Sequence, residues 1–299
     1  MKDRRKAFTR RDFIRNTLGA AAAVGITGNA VAQNDAAKAS KAVRSSRVVL
    51  VRDEAVLEAD NKVNPAVLKK MLDETVTRVT KAKNAGDAWR SLFKPGDTVG
   101  LVPTQALNPS HPELVEAVQS ALAEAGVPRD RILMAQQRDP EKVRQCTALI
   151  NMPGLKAHWL TGIGTVLKNY ILFSGKPRDY HDADSAKLGE IWNLDIVKGK
   201  TRLVLVDALV GLCDKGPQVD PQYKWPYRGL IAGTDPVAVE TVCLKIITEK
   251  RNRMKGEPWP LSPPPVCVEA ADPALISSGR TTRTRPGSAP VSSESMTTR

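Results

Sequence analysis

The chain has 299 residues, of which 41% are hydrophobic, 4% aromatic and 26% charged. That balance excludes a wholly disordered chain, a collagen-like chain and a polytopic membrane protein. The formal net charge of +13 favours anionic partners, but no dense Lys/Arg stripe interleaves with aromatics, so nucleic acid is not an expected partner.

The charge is uneven along the chain. Residues 1–32 hold seven Lys/Arg against two Asp/Glu. A mild apolar stretch, Leu18 to Thr27, follows the basic start, and Ala30-Val31-Ala32 then supplies a small-x-small cleavage site. These three features in this order make a signal peptide. An apolar stretch this short cannot cross a hydrocarbon core, which needs roughly 20 residues. Thr9-Arg10-Arg11-Asp12-Phe13-Ile14-Arg15 resembles the twin-arginine export motif. The expected partner is therefore the twin-arginine translocation machinery. The expected destination is the periplasm or another extracytoplasmic space, with no membrane span left after cleavage.

Residues 33–46 are rich in Ala, Lys and Ser and read as a flexible leader. Arg47 to Val51 is a β-branched strand. Asn64-Pro65 opens a helix to about Lys83, with Asn suited to the N-cap and Pro to the first helical position. Thr98 to Val102 is a short buried strand. Ser110 is expected to cap a helix that runs to Ala125 and stops at Gly126. Arg131 to Ala135 and Thr147 to Asn151 are further strands. Arg202 to Val206 is a strong strand that closes in Asp207, and Gly229 to Ala232 a short one. Asp235-Pro236 opens a helix to about Arg253, with Asp235 as its N-cap. Alternating strands and helices imply a single Rossmann-like α/β domain over residues 47–271, a largely parallel sheet with flanking helices. Five prolines between Pro258 and Pro265 exclude helix and inner strand there. Residues 272–299 lack apolar periodicity and read as a disordered tail.

Cys146, Cys213, Cys243 and Cys267 are 67, 30 and 24 residues apart. No C-x-x-C pair exists, so a ferredoxin-type iron–sulfur cluster is not expected. A disulfide framework is not needed either, since a chain of this length buries enough surface without one. The chemistry-bearing stretch follows the strand at Thr147 to Asn151, where α/β folds place ligands. It contains Lys156, His158, Thr161, Gly162, Gly164, Lys168 and Asn169. Gly162 and Gly164 can turn backbone N–H groups toward an anion, with Lys168 supplying charge. The spacing is not that of a P-loop.

This stretch, Ile150-Asn-Met-Pro-Gly-Leu-Lys-Ala-His-Trp-Leu-Thr-Gly-Ile-Gly-Thr-Val-Leu-Lys-Asn169, resembles the signature of the domain of unknown function 362 family. Asn108 to Val115, Leu205 to Leu209 and Leu230 to Val239 agree with three further motifs of that family. Some relatives carry an added cysteine cluster, which this chain lacks. Relatives often have Lys-x-Asn where this chain has Val102-Pro103-Thr104. A more distant similarity joins His158, Gly162 and Lys168 to the spacing of the nickel-pincer lactate racemase family, whose other histidines have His111 and His181 as candidate counterparts. The racemase Ser-Gly-Gly-x-Lys is Gly-Thr-Val-Leu-Lys here, and the nickel cofactor is not carried over.

The three histidines of the chain, His111, His158 and His181, all fall in these motifs. Histidine serves as acid, base or metal ligand near neutral pH. The resulting expectation is an enzyme acting on a small anionic hydroxy or carboxylic acid. His111, His158, Lys168 and Asp207 are its catalytic candidates. Lys156, Gly162, Gly164 and Asn169 hold a ligand or cofactor, and His181 is a candidate ligand to a transition metal. His111, His158 and Lys168 are expected to line one pocket. The other reading is a non-catalytic periplasmic protein that binds an anion or a cofactor.

Overall fold

The computed structural model describes residues 46–135, 139–271 and 296–298. The expected signal peptide and nearly all of the leader lie outside the described residues. Of the expected tail only Met296–Thr298 is described.

The strands are β1 (Val48–Arg52), β2 (Val99–Pro103), β3 (Ile132–Met134), β4 (Ala148–Met152), β5 (Gly154–His158), β6 (Gly162–Ile163), β7 (Thr201–Leu212), β8 (Lys224–Gly233) and β9 (Met296–Thr298). The helices are α1 (Pro65–Thr80), α2 (Ala85–Leu92), α3 (Pro112–Glu124), α4 (Pro140–Gln145), α5 (Pro236–Lys255) and α6 (Val266–Ala270). Among the described residues the sheet runs β3-β2-β4-β7-β8-β1-β9, with β5 beside β7 and β6 hairpinned to β5. Strands β3, β2, β4 and β7 are parallel, whereas β8 lies antiparallel to both β7 and β1. The fold is thus the expected α/β domain with a mostly parallel sheet.

Alternation along β7 shows how the sheet is covered. Leu203 and Leu205 face one core with Leu68, Leu72, Leu114 and Leu122 of α1 and α3. Val204 and Val206 face the other core with Cys243, Ile246 and Ile247 of α5. Both faces are dry, so the strand reads as a continuous apolar run. Among the described residues no helix is long and apolar enough to cross a membrane.

Connections out of β2 diverge. The chain passes through α3 to β3 on one side of β2, then through α4 to β4 on the other. The carboxyl ends of β2 and β4 therefore flank a topological switch point, the usual ligand crevice of such sheets. The loop after β2 and the strand after β4 supply most of the polar groups described next.

Two sequence expectations are corrected here. Asp207 does not close its strand, because β7 continues five residues further to Leu212. Ser110 does not cap α3. His111 is the N-cap residue, without a side-chain cap bond, and the Ser110 hydroxyl instead donates to Met152 O at 2.6 Å. Asp235 does cap α5, accepting from Val237 N and Ala238 N.

Candidate functional site

The loop after β2 folds back on its own strand. Ser110 N donates to Thr104 O, and Thr104 N donates to Met152 O. This sets His111 over β7, where the buried Asp207 waits. Asp207 Oδ2 accepts the His111 main-chain N–H at 2.6 Å and faces its Nδ1 at 2.8 Å. Asp207 Oδ1 accepts from Leu209 N at 3.1 Å. A carboxylate beside Nδ1 fixes the ring hydrogen there and leaves Nε2 as the free position. Burial works to lower the His111 pKa, but the hydrogen bond and charge of Asp207 outweigh it, and the pKa is raised. The expectation that Asp207 orients a histidine fits this geometry.

A second group forms around β5. Lys156 is buried, and its ammonium donates to Thr104 Oγ1 at 3.2 Å. Thr104 Oγ1 in turn donates to Asn169 Oδ1 at 3.1 Å. The Asn169 amide donates to Val102 O and to Asn151 Oδ1. Asn169 thus positions the site from within the core rather than facing a ligand with its amide hydrogens. His158 Nδ1 accepts the Leu160 N–H at 3.1 Å, so the ring hydrogen sits on Nε2. Its ring stacks on that of His181 with centroids 6.0 Å apart. His181 Nε2 meets Lys168 Nζ at 2.5 Å.

The electrostatics follow from burial among like charges. Burial first, then the charges of Lys168, His181 and Lys156, lower His158 to about 2. Burial and the Lys156 charge lower Lys168 to about 7. Burial lowers Lys156 to about 8, opposed by Glu240. Burial and the Lys168 charge also lower His181. Neither lysine forms an ion pair with a carboxylate among the described residues.

Glu240 was not singled out from the sequence. Fully buried on α5, it accepts the N–H groups of Val166 at 2.8 Å and Leu167 at 3.3 Å. It thereby fixes the start of the 3-10 helix Leu167–Ser174 that carries Lys168 and Asn169. Burial pushes its carboxyl up to about 7 against those two bonds. The signal was present: a carboxylate at helical spacing between Val237 and Cys243, inside the apolar stripe of α5. Thr104 was likewise seen only as a departure from a family motif.

His158 stacks on His181, which meets Lys168, while His111 pairs with Asp207. His111 shares no hydrogen bond with His158, Lys168 or His181 among the described residues. A link passes between the groups through Thr104, which touches Lys156 by its hydroxyl and Ser110 by its main chain. A cavity of about 810 Å³ opens at the end of β2, bordered by Thr104, Gln105, Ser110, Gln119 and Arg129.

Both glycines of the hairpin sit at close contacts. Gly164 N donates to Lys156 O, and a Cβ there would meet the His158 Cβ at 3.0 Å. Gly162 has φ +71°, and a Cβ there would lie 2.6 Å from Pro263 O. The proline-rich segment before α6 therefore packs on the β5–β6 hairpin. No group of three or more His, Cys, Asp or Glu side chains is gathered to hold a metal ion among the described residues. His181 has its Nε2 engaged by Lys168 instead. The four cysteines are free and buried.

No curated protein and no solved structure matches the chain. Residues 127–245, which span β3 to the middle of α5 and include Lys156, His158, Lys168, His181, Asp207 and Glu240, match the family described as Domain of unknown function (DUF362).

Proposed function

We propose that the domain is an enzyme that takes a small anionic molecule, a hydroxy or carboxylic acid, at the cluster of His158, Lys168 and His181. One observation carries this reading: Lys156 is buried and Lys168 half-buried, the Lys156 charge opposes a charge on Lys168, and among the described residues neither forms an ion pair with a carboxylate. Burying ammonium groups without an ion-pair partner is costly, and a bound anion offsets that cost. The spacing of His158, Gly162 and Lys168, similar to that of the lactate racemases, supports an acid of this class. No metal or cofactor is part of the proposal.

An enzyme is favoured over a simple binding protein by the protonation states. His158 is held neutral with its hydrogen on Nε2, and Lys168 titrates near neutral pH. A lysine tuned in this way exchanges a proton with a ligand, as a general acid or base must, while the neutral His158 offers its Nε2 hydrogen as a donor. A binding protein needs only fixed positive charge. The twin-arginine motif and the Ala30-Val31-Ala32 exit support a periplasmic site of action, reached after folding in the cytoplasm.

Isothermal calorimetry with oxalate tests the site. The wild-type protein should bind it at neutral pH, and Lys168→Met should weaken binding at least about tenfold, the effect of losing one charge-assisted contact. Equal affinity in the two proteins would contradict the placement of the anion at Lys168.

A further inference from the structure

We infer that Lys168 is a nucleophile, whose amine condenses with the carbonyl group of a small keto or aldehyde acid to form a Schiff base, with His181 relaying the proton. The inference rests on the reading above that this cluster receives a small anion, and it names the substrate class.

The geometry around Lys168 is that of an activated amine. Among the described residues its Nζ is bonded to an imidazole nitrogen rather than to a carboxylate. A carboxylate partner holds a lysine charged, whereas an imidazole can accept its proton. The second ammonium, Lys156, is pinned on Thr104 and opposes a charge on Lys168. The other ionisable groups acting here are His158, stacked on His181, and Cys267, whose influence on Lys168 is in the opposite sense. The Glu240 charge supports the Lys156 ammonium, whereas Lys168 faces the Lys156 charge and an imidazole, so Lys168 gives up its proton first while Lys156 stays charged to hold the carboxylate. A desolvated lysine beside a second cation is a recognised route to a nucleophilic amine. Near pH 7 a substantial fraction of such a group is neutral, against roughly one part in 2,500 for an ordinary lysine of pKa near 10.4.

The step balances without any redox partner. The nitrogen lone pair of Lys168 adds to the carbonyl carbon, forming a C–N bond and moving the C=O π pair onto oxygen. His181 Nε2 takes a hydrogen from the nitrogen and passes it to that oxygen, giving a neutral carbinolamine. The C–O bond then breaks as the nitrogen lone pair forms C=N. Both amine hydrogens leave with the oxygen as one molecule of water.

The test uses the full chain, glyoxylate and sodium borohydride at pH 7, with peptide mapping by mass spectrometry. Glyoxylate is the smallest aldehyde that carries a carboxylate. Lys168 should be the main site of the reduced adduct, labelled at least about tenfold faster than exposed lysines such as Lys69. His181→Gln should slow the labelling at least about tenfold, as expected for loss of a general base. Oxalate calorimetry on the same preparation separates the two claims. Oxalate binding without an adduct on Lys168 would overturn the Schiff base and leave the anion site standing. Absence of both would overturn both. Labelling spread evenly over surface lysines would also overturn the inference, and mapping on the wild-type protein gives that answer whatever the variant's folding.

Discussion

Asp207 receives two hydrogen bonds from one residue, His111, through its main-chain N–H and its ring Nδ1. The contact joins the loop after β2 to the middle of β7, which are 96 residues apart in sequence. It makes His111 the one histidine of the three whose pKa is raised. In an NMR titration His111 should titrate above the usual value of about 6.5, and Asp207→Asn should move it below that. The stability that this pair contributes is full below the unfolded pKa of histidine and is lost as pH rises through the folded one. The difference in melting temperature between wild type and Asp207→Asn should therefore shrink above neutral pH.

Lys168 has the opposite linkage. Its pKa is lowered on folding, so between that value and the unfolded value near 10.4 the unfolded chain binds more protons and stability rises with pH. Lys168→Met removes a half-buried charge that has no carboxylate partner among the described residues. It should raise the melting temperature at pH 7 by a few degrees, with a smaller gain at pH 10. A lower melting temperature at pH 7 would mean that Lys168 is a structural contact rather than a strained functional one. Calorimetric scans at the two pH values decide it.

Glu240 holds two buried N–H groups, one on each oxygen. Glu240→Ala leaves both unsatisfied, at about 1–3 kcal/mol each, for a loss of roughly 2–6 kcal/mol in urea unfolding. Glu240→Gln keeps one acceptor oxygen and turns an amide NH2 toward the other donor, so its loss should be intermediate. The glutamine variant should also lower the Lys156 pKa further, since the Glu240 charge is what supports it.

Replacing Arg10 and Arg11 together by Lys should leave a precursor in the cytoplasm that retains residues 1–32, and the wild-type mature protein should begin at Gln33. Cell fractionation with N-terminal sequencing tests both. Normal export of the double variant would remove the twin-arginine reading.

The sequence revealed the α/β class because β-branched runs such as Val48–Val51 and the capped starts at Asn64-Pro65 and Asp235-Pro236 are local signals. It hid β5, because Gly154 and the charged Lys156 break the apolar run of that strand. That glycine has a tertiary reason: a Cβ there would lie 2.6 Å from Asn108 O. It hid α2, whose eight residues are too few to display helical periodicity. Length was misread in β7, where Asp207 looks like a stop but is tolerated mid-strand because His111 and Leu209 satisfy its oxygens.

At the site, the identities of His111, His158, Lys168, His181 and Asp207 were legible as rare polar groups in ordered motifs. Their grouping was not. Which histidine meets which partner depends on the register of β5 against β7, with Gly154 beside Asp207 and Lys156 beside Leu212. That register carries His158 along the strand and away from Asp207, toward Lys168 and His181. Glu240 stayed hidden because a buried carboxylate satisfied by main-chain N–H groups leaves no mark in residue spacing apart from its place in an apolar stripe.

A crystal structure of the full chain grown with oxalate at neutral pH tests the central claim most directly. The account predicts one oxalate with a carboxylate oxygen within about 3.2 Å of Lys168 Nζ, a normal hydrogen-bond distance, and His158 and His181 beside it. Oxalate bound only elsewhere, or a Lys168–His181 contact left unchanged with no anion beside it, would contradict the assignment of this cluster as the anion site.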